Sequence, residues 1–196
     1  MVLPEEVVTF WLGAPGAPPL ANARKWFAKD DAFDTEVRTR FGGAIAAAKR
    51  GALAEWRATP RGRLALVILC DQLSRNAFRG TADAFAQDAL ALEVAEEAIA
   101  AGDDVAFSPI EQRFLRMPLM HAEDRQRQAR SLAEFEGLAR SSPPELQASA
   151  LDVARYAKMH ADIIEQFGRF PSRNASLGRE STPAEFEHLK KPGSSF

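Results

Sequence analysis

The chain has 196 residues, of which 46% are hydrophobic and 27% charged, and its formal net charge is -2. This length suits one domain, and the composition is too apolar for a disordered protein. A nearly neutral chain has no overall positive field, which argues against nucleic acid or an anionic membrane surface as partner.

Three features indicate a soluble cytoplasmic protein. Cys70 is the single cysteine, so no intrachain disulfide can form, and its place at the end of an apolar run is typical of a small buried hydrophobe. The N-terminus, MVLPEEVVTFWLG, places glutamates before a short apolar run, unlike a secretory signal. The longest uninterrupted apolar run, Leu64 to Cys70, is far shorter than the roughly 20 residues that span a bilayer.

The predicted elements are helices throughout. In chain order they cover Pro4–Leu12, Asp34–Arg50, Leu64–Phe78, Thr81–Ala101, Pro109–Arg116, Leu119–Ala139, Pro143–Phe167 and Pro183–Lys191. The run LALVILC could also be a buried strand, but no second segment alternates with period two to pair with it. We therefore predict a single all-α domain over residues 1–196, with about eight helices and with frayed ends at residues 1–3 and 192–196.

Helix starts are marked by a repeated pattern of Ser or Thr, Pro, any residue and Glu. It occurs at Ser108–Glu111, Ser142–Glu145 and Thr182–Glu185, where each hydroxyl is expected to cap the first turn. Helical spacing is clearest in the stripe Val153, Ala157, His160, Ile164 and Phe167, which Gly168 is expected to end. Trp11, Trp26 and Trp56 are expected in the core.

Two polar segments stand out among these helices. CDQLSRNAFRG ends the apolar helix Leu64–Phe78, and FGRFPSRNASLGR follows the predicted helix stop at Gly168. Both contain SRNA, at Ser74–Ala77 and Ser172–Ala175, with a further arginine downstream. Because one copy ends a helix and the other lies in a loop, internal duplication is a weak explanation.

Together with FLRMPLMHAED, which begins at Phe114, these segments resemble the bacterial domain-of-unknown-function family 924, from about Val8 to Lys190. The resemblance implies an all-α fold similar to tetratricopeptide-like arrays of antiparallel helical hairpins, and it implies no activity. The family's motif positions correspond to Asp71, Gln72, Arg75, Asn76, Arg79, Asp88, Met117, Pro118, His121, Glu123, His160, Phe167, Gly168, Arg169, Phe170, Pro171, Arg173, Asn174, Leu177, Gly178 and Arg179. Family members usually carry Leu, Phe, Pro and His where this chain has Cys70, Leu73, Ser74 and Ser172.

The first segment predicts a polar ridge. Asp71, Arg75 and Arg79 lie at steps of four on the predicted helix, with Gln72 and Asn76 beside them. One interpretation is a buried network that holds helices together, since a charge entering the core must be paired. The other is a ligand site, and the ridge alone does not decide between them.

The second segment predicts an arginine-rich loop that carries Arg169, Arg173, Asn174 and Arg179. Guanidinium groups are planar forks of donors suited to carboxylate or phosphate. If this loop folds back toward the ridge, five arginines and two asparagines would converge on a small anion. The alternative is an arginine–carboxylate staple that holds the C-terminal segment.

Two histidines are candidate proton donors and acceptors. His121 begins HAED, with Glu123 close by, and His160 lies on the apolar stripe of its helix. A histidine on an apolar face is more often a hydrogen-bonded core residue, but the family resemblance at both positions favours a functional role. A metal site would need both histidines to meet Glu123 or Asp124; no motif supplies two ligands from one turn, so no metal is predicted, and the sequence identifies no cofactor.

The sequence is compatible with two functions. The first is a small-anion site, with or without catalysis, in a cleft lined by Asp71, Gln72, Arg75, Asn76, Arg79, His121, Glu123, His160, Arg169, Arg173, Asn174 and Arg179. The second is an interaction module, in which a groove between helical hairpins binds a peptide or protein and the motif residues are structural. A homodimer formed through an exposed apolar helix face is compatible with both.

Overall fold

A computed structural model of the chain describes residues 2–191 and 193. Within these residues the chain is helical and contains no strand, which confirms the predicted all-α class. The predicted frayed ends fall in part on Met1, Pro192 and residues 194–196, which lie outside the described residues.

The α-helices are α1 (Pro4–Leu12), α2 (Ala23–Trp26), α3 (Asp31–Lys49), α4 (Pro60–Val67), α5 (Ser74–Ala77), α6 (Asp88–Ala100), α7 (Pro109–His121), α8 (Arg125–Ser141), α9 (Pro144–Phe167) and α10 (Pro183–Leu189). A π-helical turn, Ile68–Leu73, joins α4 to α5. Shorter 3-10 turns cover Ala54–Ala58, Ala82–Ala84, Asp103–Ala106 and Pro171–Arg173.

Several predicted helix boundaries are wrong. The sequence predicted a break between Arg116 and Leu119, but α7 runs through Pro118 and ends at His121. A proline removes one helical hydrogen bond, yet the buried side chains of Leu119 and Met120 beyond it keep this stretch packed. The helix predicted from Thr81 begins only at Asp88, after a 3-10 turn.

The chain divides into two compact units. Unit 1 comprises Met1–Arg79 and Asp83–Pro118, and unit 2 comprises Gly80–Ala82 and Leu119–Phe196. The single domain expected from the chain length stays a prediction.

The core of unit 1 surrounds the apolar run of α4 and the π turn. Every residue from Leu64 to Cys70 is at most 2% exposed, which explains a segment that is apolar on all sides. Trp11 and Trp26 both pack edge-on against Phe114, with ring centroids 5.8 and 4.9 Å away. Trp56 is also buried, so the predicted core role of the tryptophans is confirmed.

Unit 2 is built on a hairpin of α8 and α9, which pack against each other and are joined by Ser142 and Pro143. Ser142 does not cap α9 as predicted, because its hydroxyl donates to the Leu138 carbonyl at 2.7 Å and so serves the end of α8. The other two predicted capping boxes, at Ser108 and Thr182, form.

The buried stripe of α9 follows the predicted spacing. Val153, Ala157, His160 and Ile164 are all buried, and Gly168 ends the helix in the left-handed conformation at φ 70°. Of the described helices, none combines the length and apolarity that a membrane span requires.

Candidate functional site

The ridge of unit 1 begins in the π turn. Asp71 is fully buried there, and its carboxylate accepts from the Gln72 amide at 2.6 Å and lies 3.0 Å from Arg75. The Arg75 guanidinium also binds both oxygens of Asp88, at 3.0 Å each. Arg75 therefore holds two carboxylates of its own unit, one from the π turn and one from the start of α6.

Arg79 does not extend this ridge. Its helix ends at Ala77, and the Arg79 guanidinium turns to Asp34 of α3, with Nε 2.6 Å from Oδ2 and Nη2 2.9 Å from Oδ1. The Asn76 amide donates to the same carboxylate at 2.8 Å. Burial opposes ionisation of Asp34, but the hydrogen bonds from Arg79 and Asn76 outweigh it and lower the pKa of this carboxyl.

Cys70 is a buried structural thiol. It donates to Gln87 Oε1 at 3.4 Å, and burial, with the nearby charge of Asp71, raises the pKa of the thiol to about 12. A nucleophilic cysteine needs a lowered pKa and access to solvent, so the packing interpretation of Cys70 agrees with its surroundings.

In unit 2 the arginine-rich loop is fastened to α10. Arg169 binds Glu185 in a bidentate pair, at 2.7 and 2.8 Å. The Arg169 hydrogen bond, assisted by the Thr182 amide and hydroxyl, lowers the pKa of Glu185 to about 2 despite burial. Glu185 thus closes the capping box of α10 and anchors the loop.

Arg179 fastens the other end of the loop to Glu123. Its Nη1 and Nη2 lie 2.6 and 2.9 Å from the two carboxylate oxygens, and its Nε donates to Asn174 at 2.9 Å. Glu123 also accepts from the Phe170 amide at 2.8 Å. Burial opposes ionisation of Glu123, but Arg179 and this amide lower the pKa of its carboxyl below the ordinary value.

The remaining predicted residues of unit 2 form a cluster of His121, His160, Phe170 and Arg173, which we call the histidine–arginine cluster. The two imidazole rings lie 6.1 Å apart between centroids, and the His160 ring meets Phe170 edge-on at 5.4 Å. The Arg173 guanidinium lies 4.5 Å from the Phe170 ring centroid and donates to the His121 carbonyl at 3.0 Å. Unit 2 therefore brings both predicted histidines together with one loop arginine.

The orientation of His160 is set by its own helix. Its Nδ1 lies 2.8 Å from the Tyr156 carbonyl oxygen, which can only accept, so Nδ1 carries the hydrogen. In the neutral ring the lone pair then belongs to Nε2. His160 is 6% exposed, so this ring is a buried imidazole with a defined tautomer.

Among the described residues, no group of three or more His, Cys, Asp or Glu side chains is placed to hold a metal ion. The ridge lies in unit 1, while the loop and both histidines lie in unit 2. Their convergence on one anion stays a prediction.

Three residues outside the predicted site are important for its geometry. Glu185 could have been found from its capping box, but Asp34 carries no local signal because its partners are 42 and 45 residues away. Gln128 of α8 is 2% exposed and donates to the Met120 and Ala122 carbonyls, both at 2.7 Å, on either side of His121. Contacts to backbone carbonyls leave no pattern in side-chain spacing.

The comparisons with known proteins agree with this architecture. Residues 7–193 match the family model described as bacterial protein of unknown function (DUF924). A solved structure described as a protein of unknown function, ATU0120 from Agrobacterium tumefaciens, is similar at 39% identity, with a TM-score of 0.79 over 95% of this chain and 96% of that one. No curated protein matches the chain. The resemblance of the motifs is thereby confirmed, and the chain belongs to the DUF924 family of bacterial proteins of unknown function.

Proposed function

We propose that unit 2 binds a small anion, a carboxylate or a phosphate, at the histidine–arginine cluster. The observation that carries this proposal is the contact set around Arg173, whose guanidinium is held by the His121 carbonyl and the Phe170 ring, next to imidazoles 6.1 Å apart. Arginine forms bidentate, charge-assisted hydrogen bonds to carboxylate and phosphate oxygens, and a protonated imidazole can also donate to them.

The other four arginines of the predicted cleft are held in ion pairs within their own units. Arg75, Arg79, Arg169 and Arg179 each bind a carboxylate of the same unit. An external anion would have to displace carboxylates that are already in place, at a cost in stability. We therefore assign these four arginines a structural role. The proposed site is supported by the position of the Arg173 guanidinium, which lies against the Phe170 ring and donates to the His121 carbonyl.

The two imidazoles add a capacity for proton transfer. With Nδ1 of His160 donating to the Tyr156 carbonyl, the neutral ring keeps Nε2 as a base, and protonation of Nε2 would create a donor for an anion. His121 lies beside it and supplies a second imidazole. His160 and His121 are the candidate proton acceptor and donor if this site catalyses a reaction, and we propose that the protein acts in the cytoplasm.

The test is a thermal-shift titration of the full chain with inorganic phosphate and with citrate, at constant ionic strength. At a ligand concentration of about 100 Kd the native state gains about 2.7 kcal/mol, which corresponds to a rise of about 5–10 °C in Tm. Arg173→Ala should abolish the rise, and His160→Asn should reduce it.

The matched control is Arg155→Ala, which removes a guanidinium from the exposed face of α9 in the same unit. It should leave the anion-induced rise intact. A rise of equal size in wild type, Arg173→Ala and Arg155→Ala would be a general salt effect and would contradict the proposed site.

A second candidate function is that of an interaction module, favoured by the exposed face of α9. Leu151 and Tyr156 are 55% and 40% exposed, and the Arg155 guanidinium lies 4.9 Å from the Tyr156 ring centroid. Tyrosine and arginine are enriched in protein interfaces. Self-association is the first property to measure. If the protein is an interaction module of this kind, sedimentation should detect a dimer of the wild-type chain. The double substitution Leu151→Ser and Tyr156→Ser should abolish this dimer.

A further inference from the structure

Gln128 on α8 has an amide group whose orientation is determined by its partners. Its Nε2 lies 2.7 Å from both the Met120 and the Ala122 carbonyl oxygens. Carbonyl oxygens only accept, so the NH2 group must face them and Oε1 must face away. The Gln128 side chain is 2% exposed, which places that oxygen in the interior.

Ser131 presents a second buried polar atom on the same helix. It is 0% exposed, and it follows Gln128 by three residues, so the two side chains are neighbours on one face of α8. Among the described residues, neither Gln128 Oε1 nor Ser131 Oγ has a hydrogen-bond partner. The large majority of buried side-chain polar atoms in proteins have a hydrogen-bond partner, either in the protein or in ordered water.

We propose that one internal water molecule binds beside Gln128 and Ser131 in unit 2. The water donates one hydrogen to Gln128 Oε1 and shares a second hydrogen bond with Ser131 Oγ, which can donate or accept. An uncharged amide and a hydroxyl match water better than an ion, since burying an ion would require a countercharge.

This water site goes beyond the proposed anion site and stands independently of it. By holding Oε1, the water fixes the plane of the Gln128 amide, and the amide nitrogen holds the backbone carbonyls on both sides of His121. The bound water is thereby part of the support of the histidine–arginine cluster.

The first test is a crystal structure of the full chain at a resolution that defines ordered water. We expect a water peak within hydrogen-bond distance of both Gln128 Oε1 and Ser131 Oγ. A structure in which Ser131 Oγ instead donates to a carbonyl of its own helix, with no water at Gln128 Oε1, overturns the proposal.

The second test is the melting temperature of Ser131→Ala. If the water is bound, the variant loses a satisfied hydrogen bond, and Tm should fall by about 2–4 °C. The control is Ser74→Ala, which removes an equally buried hydroxyl that donates to the Leu69 carbonyl at 3.1 Å. The Tm of this control should fall by a similar amount. An unchanged or raised Tm for Ser131→Ala would mean that the hydroxyl has no partner, and it overturns the proposal.

Discussion

At the scale of the residue, the ion pairs of the motif arginines differ from ordinary surface pairs in how deeply their carboxylates are buried. The Asp34 side chain is 7% exposed and is shared by Arg79 and Asn76. The pair of Lys49 and Asp83, by contrast, is more than half exposed on both sides. Losing the partner of a buried carboxylate costs far more than losing a solvated pair.

We therefore expect Arg79→Ala to lower the free energy of unfolding by about 2 kcal/mol. This value is smaller than the cost of breaking a fully buried pair, because Arg79 is itself partly exposed. Lys49→Ala is the matched control and should change it by less than about 0.5 kcal/mol. Urea unfolding of both variants measures the difference. Equal effects would show that the Asp34 network adds nothing to stability.

At the scale of the element, Gly62 in α4 is required for a reason that has nothing to do with turn geometry. A Cβ at this position would collide with the Trp56 carbonyl and would lie 3.0 Å from Thr59 Oγ1. The first turn of α4 therefore packs directly on the backbone of the preceding 3-10 turn, and only glycine permits this approach.

Gly62→Ala should destabilise the protein by about 3 kcal/mol or more, because the backbone must shift to relieve the clash. Gly43→Ala in α3 is the matched control: its Cβ meets nothing within 4 Å, so the substitution should stabilise the helix by about 0.5–1 kcal/mol. Thermal unfolding should therefore show a lower Tm than wild type for Gly62→Ala and a higher Tm for Gly43→Ala. A mild effect at Gly62 would contradict the close packing.

The helix starts illustrate how far local sequence determines an element. The boxes at Ser108 and Thr182 form because the pattern operates within one turn. The same pattern at Ser142 fails, since the preceding helix ends immediately before it and its hydroxyl satisfies a carbonyl of that helix. A local rule is decisive only where no neighbouring element competes for the same group.

At the scale of the whole molecule, several carboxyl groups in both units have lowered pKa values. Glu185 has a pKa of about 2 against an ordinary 4.5, and the pKa values of Asp34, Glu123 and Glu5 are also below their ordinary values. A lowered pKa in the folded state adds stability above the unfolded pKa, and this stability is lost as the pH falls through the folded value.

The melting temperature should therefore fall progressively as the pH is lowered from about 5 to about 2. Glu185→Gln should be less stable than wild type at pH 7, and the difference should narrow toward pH 2, where the wild-type carboxyl is also protonated. Calorimetry at matched ionic strength measures the stability of wild type and of Glu185→Gln at each pH. A difference that stays constant with pH would show that the charge of Glu185 does not contribute.

The sequence by itself determined the all-α class, most helix positions, the buried stripe of α9 and the family, because these depend on periodicity, on caps within one turn and on motifs in order. Only the tertiary structure decided which carboxylates Arg79 and Arg179 bind, since Asp34 and Glu123 lie tens of residues from these partners in the chain. The same holds for the meeting of His121 and His160, which come from α7 and α9. Long-range ion pairs and ring contacts depend on how helices pack, and the spacing of residues along one helix does not encode that packing.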